Sequence, residues 1–308
     1  GMAWYLIQHK RETKEYGIIL FYGAECFLAI WVLRNIFRYR GKIVLHSNGI
    51  EMLVDEALQA GAIKINRYRK LFQWNMHPFL RYSYQNLDFL ITVSLYNLRY
   101  ATDILKISSE KVDVLEPALH PQFFEQNVHL PYKKPILCFV GAWLPIKGSA
   151  LLEEIIPVFL DKHKNYTVRL IGVGDYFVPT DYFPLDICSR VEVIGYVRNK
   201  QVQIDLLREC SLFLFPSVAD SFGIVVAEAM ACGCAIVCSN VGIGVGLQDG
   251  RDAMVVDSQS ANDYLAILDR LTGDELLLKQ ISANGRQLVQ FFNWANYQNK
   301  LATIFNRF

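Results

Sequence analysis

The chain has 308 residues, 52% of them hydrophobic, which is enough to bury two cores and excludes a disordered or fibrous protein. Its formal net charge is only +1, so overall charge gives no support for nucleic-acid binding. The charge is unevenly divided, because residues 1–134 carry a net charge of +5 and residues 135–308 a net charge of −4. A basic half followed by an acidic half indicates two domains with different ligands.

Strands alternate with helices along the first half of the chain, which predicts a parallel sheet. The predicted elements are strand 18–22, helix 26–39, strand 42–45, helix 51–60, strand 88–93, helix 95–106 and strand 111–115. The polar stretch 118–135 contains proline and has no clear periodicity. We therefore place the domain boundary there, with a first domain at 1–130.

The same alternation continues in the second half and predicts a doubly wound α/β domain at 131–290. Its predicted elements are strand 136–140, helix 150–160, strand 167–171, strand 191–194, helix 201–208, strand 212–215, helix 224–232, strand 235–237, strand 253–256 and further helices. Ligands of such sheets bind at the carboxyl ends of the strands. The loops after 140, 171, 194 and 215 are therefore the candidate ligand loops.

The seven cysteines lie in apolar segments without the paired spacing of a zinc site. We expect reduced core cysteines, no metal site and a cytoplasmic location. The longest apolar stretch, 18–33, contains Glu25 and is shorter than the roughly 20 residues of a membrane span.

The segment after strand 212–215 combines a turn with two carboxylates. Ser221, Phe222 and Gly223 lead directly into a predicted helix, whose free N–H groups and dipole favour an anion such as phosphate. Glu228 is the one charge of this otherwise apolar helix, so its carboxylate needs hydrogen-bond donors. Structural alternatives exist, since Glu228 could pair with an arginine and Asp220 could cap the helix. For Asp220 alone both interpretations stay open, whereas two carboxylates bracketing one turn favour function.

The stretch P-S-V-A-D-S-F-G-I-V-V-A-E-A-M-A-C-G, residues 216–233, resembles the signature of the retaining glycosyltransferases of family 4, which have the GT-B fold. Other stretches agree with the same family: V-G-A-W-L-P-I-K-G at 140–148, L-I-G-V-G-D at 170–175, V-I-G-Y-V at 193–197 and F-N-W at 292–294. The resemblance covers 135–308 well and 16–125 loosely. It implies an α/β fold of two Rossmann-like doubly wound domains, with a C-terminal helix at 291–308 that crosses back to the first domain.

The resemblance also implies roles for individual residues. Glu228 would accept hydrogen bonds from the ribose of a nucleotide-sugar, and Asp220 would contact the transferred sugar. His46, at the end of a strand, would lie near that sugar, and a structural hydrogen-bonding role is an equal alternative for it. Lys147 would neutralise the diphosphate. The other residues expected to bind the donor are Ser221, Phe222 and Gly223, whose turn would assist Lys147, and Gly141, Gly172, Gly195 and Val197.

The implied reaction moves a sugar from a nucleotide-diphosphate sugar of the UDP or GDP type to a polysaccharide or lipid-linked acceptor, with retention. The leaving nucleoside diphosphate gains negative charge, which an ammonium group and a helix N-terminus can stabilise without a metal or other cofactor. The chain also lacks the D-x-D triplet of metal-dependent glycosyltransferases. The incomplete G-x-G at 172–174 disfavours a dehydrogenase.

Three departures from the family pattern keep other functions open. Ala142 stands where the family has an arginine on the diphosphate, Asp220 replaces a longer glutamate, and the first domain has no Gly-Gly pair. We therefore expect an incomplete first domain. The alternatives are a non-catalytic nucleotide-sugar-binding protein, one subunit of a split glycosyltransferase completed by a partner subunit, and a sugar-nucleotide epimerase on the same fold.

Residues 57–87 contain basic and aromatic side chains but no acidic residue. This composition suits peripheral contact with an anionic membrane at its inner face, and a solvated helix face with core aromatics is an equal alternative. A single-stranded RNA could use the same side chains, but no RNA-binding motif accompanies them.

Overall fold

The computed structural model describes residues 2–60, 67–124 and 133–308. The chain forms two compact units, one comprising Gly1–Pro117 with Tyr297–Phe308 and the other comprising Ala118–Asn296. Each unit contains its own parallel sheet. This arrangement confirms the predicted α/β fold class with two parallel sheets.

The first unit is built on a four-stranded parallel sheet in the order β1-β2-β3-β4. The strands are β1 (Ile18–Tyr22), β2 (Lys42–His46), β3 (Phe89–Thr92) and β4 (Val112–Val114). The α-helices among the described residues that belong to this unit are α1 (Met2–Gln8), α2 (Lys10–Glu15), α3 (Phe27–Trp31), α4 (Glu51–Ala60), α5 (Arg67–Gln85), α6 (Leu95–Asp103) and most of α13 (Trp294–Phe305).

Alternating side chains of β2 supply two cores, one on each face of this sheet. Ile43 and Leu45 pack with the helices α1, α3 and α5, whereas Val44 packs with Ile304 of α13. Because the central strands are buried on both faces, their sequences read as continuous apolar runs. The C-terminal helix is therefore part of the core of the first unit.

Two helices of the first unit differ from the prediction. The helix predicted at 26–39 is α-helical only in α3 and continues as a π-helix over Val32–Ile36. Phe37 donates its backbone N–H to the carbonyl of Val32, five residues back, at 3.0 Å, and this widens the turn. Helix α5 was not among the predicted elements, because Pro78 and the mixed polar and aromatic composition hide its helical period.

The second unit contains a six-stranded parallel sheet in the order β10-β9-β8-β5-β6-β7. The chain enters this sheet in the middle at β5, adds β6 and β7 on one side, and then adds β8, β9 and β10 on the other side. The strands are β5 (Lys134–Val140), β6 (Thr167–Ile171), β7 (Val191–Ile194), β8 (Cys210–Phe215), β9 (Ala235–Ser239) and β10 (Met254–Val256). The strand order thus reverses between β5 and β8, which is the topological switch point where ligands of such sheets bind.

Helices of the second unit cover both faces of its sheet. They are α7 (Ser149–Lys162), α8 (Leu185–Cys188), α9 (Lys200–Glu209), α10 (Ile224–Ala231), α11 (Ala261–Gly273) and α12 (Glu275–Leu288). Six of the seven free cysteines are buried. Burial raises the pKa of Cys238 to about 12, so its thiol stays protonated.

The division between the units lies at Pro117, before the predicted boundary at 130. The reason is that the chain packs into the second unit immediately after this residue. Leu119 donates its N–H to the carbonyl of Phe292 at 2.7 Å, and the ammonium of Lys200 lies 5.7 Å from the centre of the Phe123 ring. Part of the predicted linker, 125–132, lies outside the described residues. None of the helices in the described ranges is long and apolar enough to cross a membrane.

Candidate functional site

Two loops emerge at the switch point of the second sheet, one after β5 and one after β8. Their backbones are locked together, because a Cβ at Gly148 would lie 2.2 Å from the carbonyl oxygen of Pro216. Gly148 also has a φ of 82°, which favours glycine. In addition, Val218 donates its N–H to the carbonyl of Ile146 at 3.0 Å. The backbones of the two loops are therefore held close together at this edge of the sheet.

Lys147 and Asp220 come together at this junction. The ammonium Nζ of Lys147 lies 2.5 Å from Oδ2 of Asp220, and the two side chains are 32% and 16% exposed. Two of the three residues predicted as catalytic are thus direct neighbours. Both remain partly accessible from solvent, as groups that exchange partners with a ligand must be.

The second oxygen of Asp220 engages the turn before α10. Its Oδ1 accepts hydrogen bonds from the backbone N–H of Phe222 at 3.2 Å and of Gly223 at 2.9 Å. These are the N–H groups predicted to face the diphosphate; in this structure they donate to Asp220, and their role toward a diphosphate stays a prediction. The aspartate also takes part in the capping that the sequence left open, although the N-cap residue itself is Gly223.

Packed aromatic side chains support the turn before α10. Gly223 has a φ of 81°, and a Cβ there would lie 3.2 Å from the Phe215 ring. The Phe222 side chain is buried with its ring edge-on to Phe292, at 5.7 Å between centroids, so only its backbone serves the turn. Ser221, before them, is half-buried.

Glu228 is 4% exposed, as its position in an apolar helix predicts. Its Oε1 accepts a hydrogen bond from Nζ of Lys200 at 2.6 Å, and its Oε2 accepts one from Nε2 of Gln203 at 2.7 Å. The structural alternative predicted an arginine as the partner of Glu228. The partners are instead the ammonium of Lys200 and the amide of Gln203. Lys200 and Gln203 lie one turn apart at the start of α9, and sequence reasoning missed them because α9 meets α10 only in the folded sheet.

The predicted glycines follow one another along the carboxyl edge of the sheet. Gly141 donates its N–H to the carbonyl of Ile171 at 2.9 Å, and Gly172 donates its N–H to that of Ile194 at 2.8 Å. Gly172 requires glycine for its φ of 75°, since a Cβ there would meet nothing within 4 Å. Gly195 does not have a φ in the left-handed region, and a Cβ there would have its nearest neighbour, Oδ1 of Asp175, at 3.8 Å.

Val197, also predicted as a donor contact, is half-buried in the loop after β7. Arg198 follows it and is exposed, and Ala142 is exposed in the loop after β5. Position 142, where the family pattern has an arginine, thus carries only an exposed alanine in the loop that also contains Lys147.

Trp143 is a further residue that the sequence analysis overlooked. Its ring lies 4.8 Å from Phe177 and 5.4 Å from Tyr182, between centroids. Its backbone N–H is 3.3 Å from the carbonyl oxygen of Val173. Trp143 therefore ties the loop after β5 to the loop after β6. An aromatic residue inside a glycine turn is the signal that could have revealed this packing.

His46, the third residue predicted as catalytic, ends β2 in the first unit and is 6% exposed. Its ring lies 5.2 Å from Tyr22, between centroids. Burial lowers the pKa of the imidazole, because the charged form loses hydration. His46 is therefore neutral at pH 7. Ser94, in the same unit, is the N-cap of α6 and accepts a hydrogen bond from the N–H of Asn97.

Known proteins share this architecture. Sucrose-phosphate synthase of Thermosynechococcus elongatus matches 98% of this chain and 77% of its own, with a TM-score of 0.73 and 17% identity. HepE of Anabaena, solved in complex with UDP, matches 98% of this chain and 82% of its own, with a TM-score of 0.74 and 17% identity. The two-sheet fold is that of the GT-B glycosyltransferases.

Sequence comparison gives the family. Residues 134–274 match the family model described as glycosyl transferases group 1. An uncharacterized glycosyltransferase of Methanocaldococcus jannaschii is 26% identical over 306 residues, which cover 92% of this chain and 83% of that protein. A D-inositol 3-phosphate glycosyltransferase of Streptomyces bingchenggensis is 34% identical over 176 residues, which cover 54% of this chain but only 39% of that protein. Within the second unit, residues 134–274 thus match the group 1 glycosyltransferases.

Proposed function

We propose that the chain transfers a sugar from a nucleoside diphosphate sugar to a hydroxyl group of a polysaccharide or lipid-linked acceptor, with retention and without a metal. The observation that carries this proposal is the Lys147–Asp220 pair beside the turn that opens α10. A cation and a helix N-terminus at the switch point suit the diphosphate of such a donor. A cytoplasmic location, where nucleotide-sugars would be available, belongs to the same proposal.

Donor binding would exchange the partners of Asp220. The diphosphate would take the ammonium of Lys147 and the N–H groups of Phe222 and Gly223 that Asp220 holds without a donor. The released carboxylate would then accept hydrogen bonds from hydroxyls of the transferred sugar. As the glycosyl C–O bond breaks, the nucleoside diphosphate leaves with the electron pair, and Lys147 stabilises that charge. The acceptor oxygen bonds to the anomeric carbon, and its proton passes to the departing diphosphate oxygen.

Glu228 would bind the ribose of the donor. An ionised carboxylate has about four acceptor positions, and Lys200 and Gln203 use two of them. Two positions are left for ribose hydroxyls, so Glu228 can keep both protein partners. UDP is the first nucleotide to test and GDP the second, because UDP is bound in the HepE structure. Contact of His46 with the transferred sugar is the remaining part of the proposal.

The test is release of nucleoside diphosphate from UDP- and GDP-sugars, with chelator present, in the presence and absence of an extract of polysaccharide and lipid acceptors. We expect release that depends on acceptor, together with a product whose anomeric configuration by NMR equals that of the donor. Release that requires added Mg²⁺ or Mn²⁺, or an inverted product, would contradict the proposal.

Ala142 favours a second candidate, a nucleotide-sugar-binding protein that lacks transfer activity alone or acts with a partner subunit. An exposed alanine replaces a charge-assisted phosphate contact there. Ala142→Arg distinguishes the two. If the unmodified chain binds the donor without transferring the sugar, and the Ala142→Arg variant does transfer it, the natural chain is a binding protein. Transfer by the unmodified chain supports the first candidate.

A further inference from the structure

The carboxyl end of β2 carries a buried imidazole whose hydrogen-bonding capacity is unused. His46 is 6% exposed, and neither of its ring nitrogens has a hydrogen-bond partner of good geometry among the described residues. The exposed Asn48 side chain is near enough to oppose the lowering of the pKa of His46, but burial has the larger effect. The imidazole is therefore neutral and has one N–H donor and one acceptor nitrogen. Leaving both unpaired in a buried position is costly, so a ligand group that pairs with them would gain affinity.

Two neighbouring buried polar side chains at this edge of the sheet do have partners. The hydroxyl of Ser47, which follows β2, donates to the carbonyl of Gly49 at 2.6 Å. The hydroxyl of Thr92, the last residue of β3, donates to the carbonyl of Asp113 at 3.3 Å. Both residues are fully buried like the strands that they end. The unused capacity is thus a property of His46 and not of a loosely packed edge.

Tyr22 is the last residue of β1 and lies directly beside His46 in the parallel register. The two rings are 5.2 Å apart between centroids, with an angle of 45° between their planes. The strand ends are fixed, because Gly23 donates its N–H to the carbonyl of His46 at 3.0 Å. Phe21 is buried in the core, whereas Tyr22 is 63% exposed. Tyr22 therefore covers part of the imidazole while most of its own ring surface stays in water.

Three other exposed aromatic residues of the first unit lie on helices. They are Trp4 on α1, Trp31 on α3 and Phe79 on α5. Phe79 belongs to the segment 57–87, which was predicted to contact a membrane. The side chains of 59–75 lie outside the described part of this segment, so membrane contact stays a prediction. The strand-end tyrosine differs from these residues because its exposed ring lies beside an unpaired buried nitrogen.

We propose that Tyr22 is a specificity-determining residue, whose ring packs against the ring of a sugar while one hydroxyl of that sugar pairs with His46. A sugar ring has C–H groups on its faces and hydroxyls at its rim, so it can contact an aromatic face and form hydrogen bonds at once. A hydroxyl suits a neutral imidazole, because it can donate to the bare nitrogen or accept from the N–H. The exposed Tyr22 side chain turns away from the imidazole to admit the hydroxyl.

This proposal deepens the proposed function and rests on it for the identity of the ligand. The sugar ring belongs either to the donor, as the transferred sugar, or to the acceptor. Both sources present the same chemistry to Tyr22 and His46. The site lies in the first unit and uses none of the residues proposed to hold the nucleotide, so a substitution at Tyr22 leaves those residues intact.

The first test compares nucleotide-sugars with their nucleotides by calorimetric titration. UDP, GDP, UDP-glucose, UDP-galactose, UDP-N-acetylglucosamine and GDP-mannose are titrated into the full chain and into Tyr22→Ala and Tyr22→Phe. If the ring belongs to the donor, Tyr22→Ala should lower the affinity for a nucleotide-sugar about three- to tenfold relative to its nucleotide, and Tyr22→Phe much less. Tyr16→Ala is the matched control, because Tyr16 is 58% exposed and precedes the opposite end of β1. It should change neither affinity.

The second test separates the acceptor from the donor. If the ring belongs to the acceptor, Tyr22→Ala should leave both donor affinities unchanged and raise the KM for the acceptor by a similar factor, with little change in kcat. In the His46→Gln background, Tyr22→Ala should have a smaller effect in either test, because the two side chains contact one sugar.

Circular dichroism of the variants establishes that they are folded. Unchanged donor affinities together with an unchanged acceptor KM in folded Tyr22→Ala, or equal losses in Tyr16→Ala, would overturn the assignment and leave the transfer reaction standing. Where no nucleotide binds or no sugar is transferred, the proposed function fails, and Tyr22 is judged by saturation-transfer NMR with methyl glycosides of glucose, galactose and mannose. A signal that Tyr22→Ala loses and Tyr16→Ala keeps would support the sugar site. No signal from the unmodified chain would overturn it.

Discussion

The second unit contains two lysine–carboxylate pairs whose surroundings differ. Lys147 and Asp220 lie on loops, 32% and 16% exposed, whereas the Glu228 side chain of the Lys200–Glu228 pair is 6% exposed and has Gln203 on its other oxygen. Asp220 also caps a turn whose N–H groups suit an anion. The Asp220 carboxylate is thus arranged to exchange partners with a ligand, whereas the buried Glu228 carboxylate is held in one orientation by Gln203 and by Lys200, which is itself 38% exposed.

The comparison is tested most strongly at Lys147. Lys147→Met removes the cation that would stabilise the leaving diphosphate, and we expect turnover to fall about 100- to 1000-fold. Affinity for UDP should fall as well, whereas affinity for uridine should not, because uridine has no phosphate. Steady-state kinetics and calorimetry provide the measurements. Lys162→Met is the control, since Lys162 pairs with Asp269 on the surface and should not affect either quantity.

The close approach of the loops after β5 and β8 predicts a large effect of a Gly148 substitution on stability. Gly148→Ala introduces a Cβ 2.2 Å from the Pro216 carbonyl oxygen at a φ of 82°, and we expect a loss of about 3 kcal/mol in the free energy of unfolding in urea. Gly172→Ala is the matched control, because Gly172 has a φ of 75° but open space around it. Its loss should be about 1 kcal/mol. Equal losses would show that the loops are not locked by this close approach.

The Lys200–Glu228 pair predicts a smaller effect on binding. Lys200→Met leaves the Glu228 carboxylate with one protein partner, and we expect UDP affinity to fall about tenfold with little change in turnover at saturating donor. Lys200→Arg should restore most of the affinity. In the Glu228→Gln background, Lys200→Met should have much less effect, because the charge that Lys200 orients is gone. An unchanged or increased affinity in Lys200→Met would mean that Lys200 does not support Glu228.

The smallest expected effect concerns His46. Burial lowers its pKa in the folded chain, so the unfolded chain, with an ordinary pKa of about 6.5, takes up a proton first as pH falls. His46 therefore reduces stability below about pH 6.5, with a slope of at most about 1.4 kcal/mol per pH unit. His46→Gln should make stability less dependent on pH between about 7 and 5. An identical pH dependence in unfolding experiments would contradict the effect of burial.

Local signals predicted the second unit well. Glycines before helices, apolar strands and a lone acid in an apolar helix are readable in sequence, and they led to Asp220, Glu228 and the loop containing Lys147. Lys200, Gln203 and Trp143 were missed because their roles depend on contacts between neighbouring helices and loops, which no short spacing encodes. The occupation of the Phe222 and Gly223 N–H groups by Asp220 likewise depends on three-dimensional geometry.

The first unit was less readable. Pro78 concealed α5, and the π-helical turn over Val32–Ile36 interrupted the expected period of a long helix. The exposed aromatic residues of α1 and α3 are far apart in sequence and come together only because both helices pack on one face of the sheet.

The most direct test of the donor site is isothermal titration of UDP, GDP and their sugar conjugates, with chelator present, into the unmodified chain, Glu228→Gln and Glu275→Gln. Glu275 is the control because its side chain is 79% exposed and pairs only with Lys279 of the same helix among the contacts described. We predict selective binding of one nucleotide by the unmodified chain and by Glu275→Gln, and a loss of at least about tenfold in affinity for Glu228→Gln. Equal affinity in a folded Glu228→Gln variant, or no binding by any form, would contradict a donor site at Glu228.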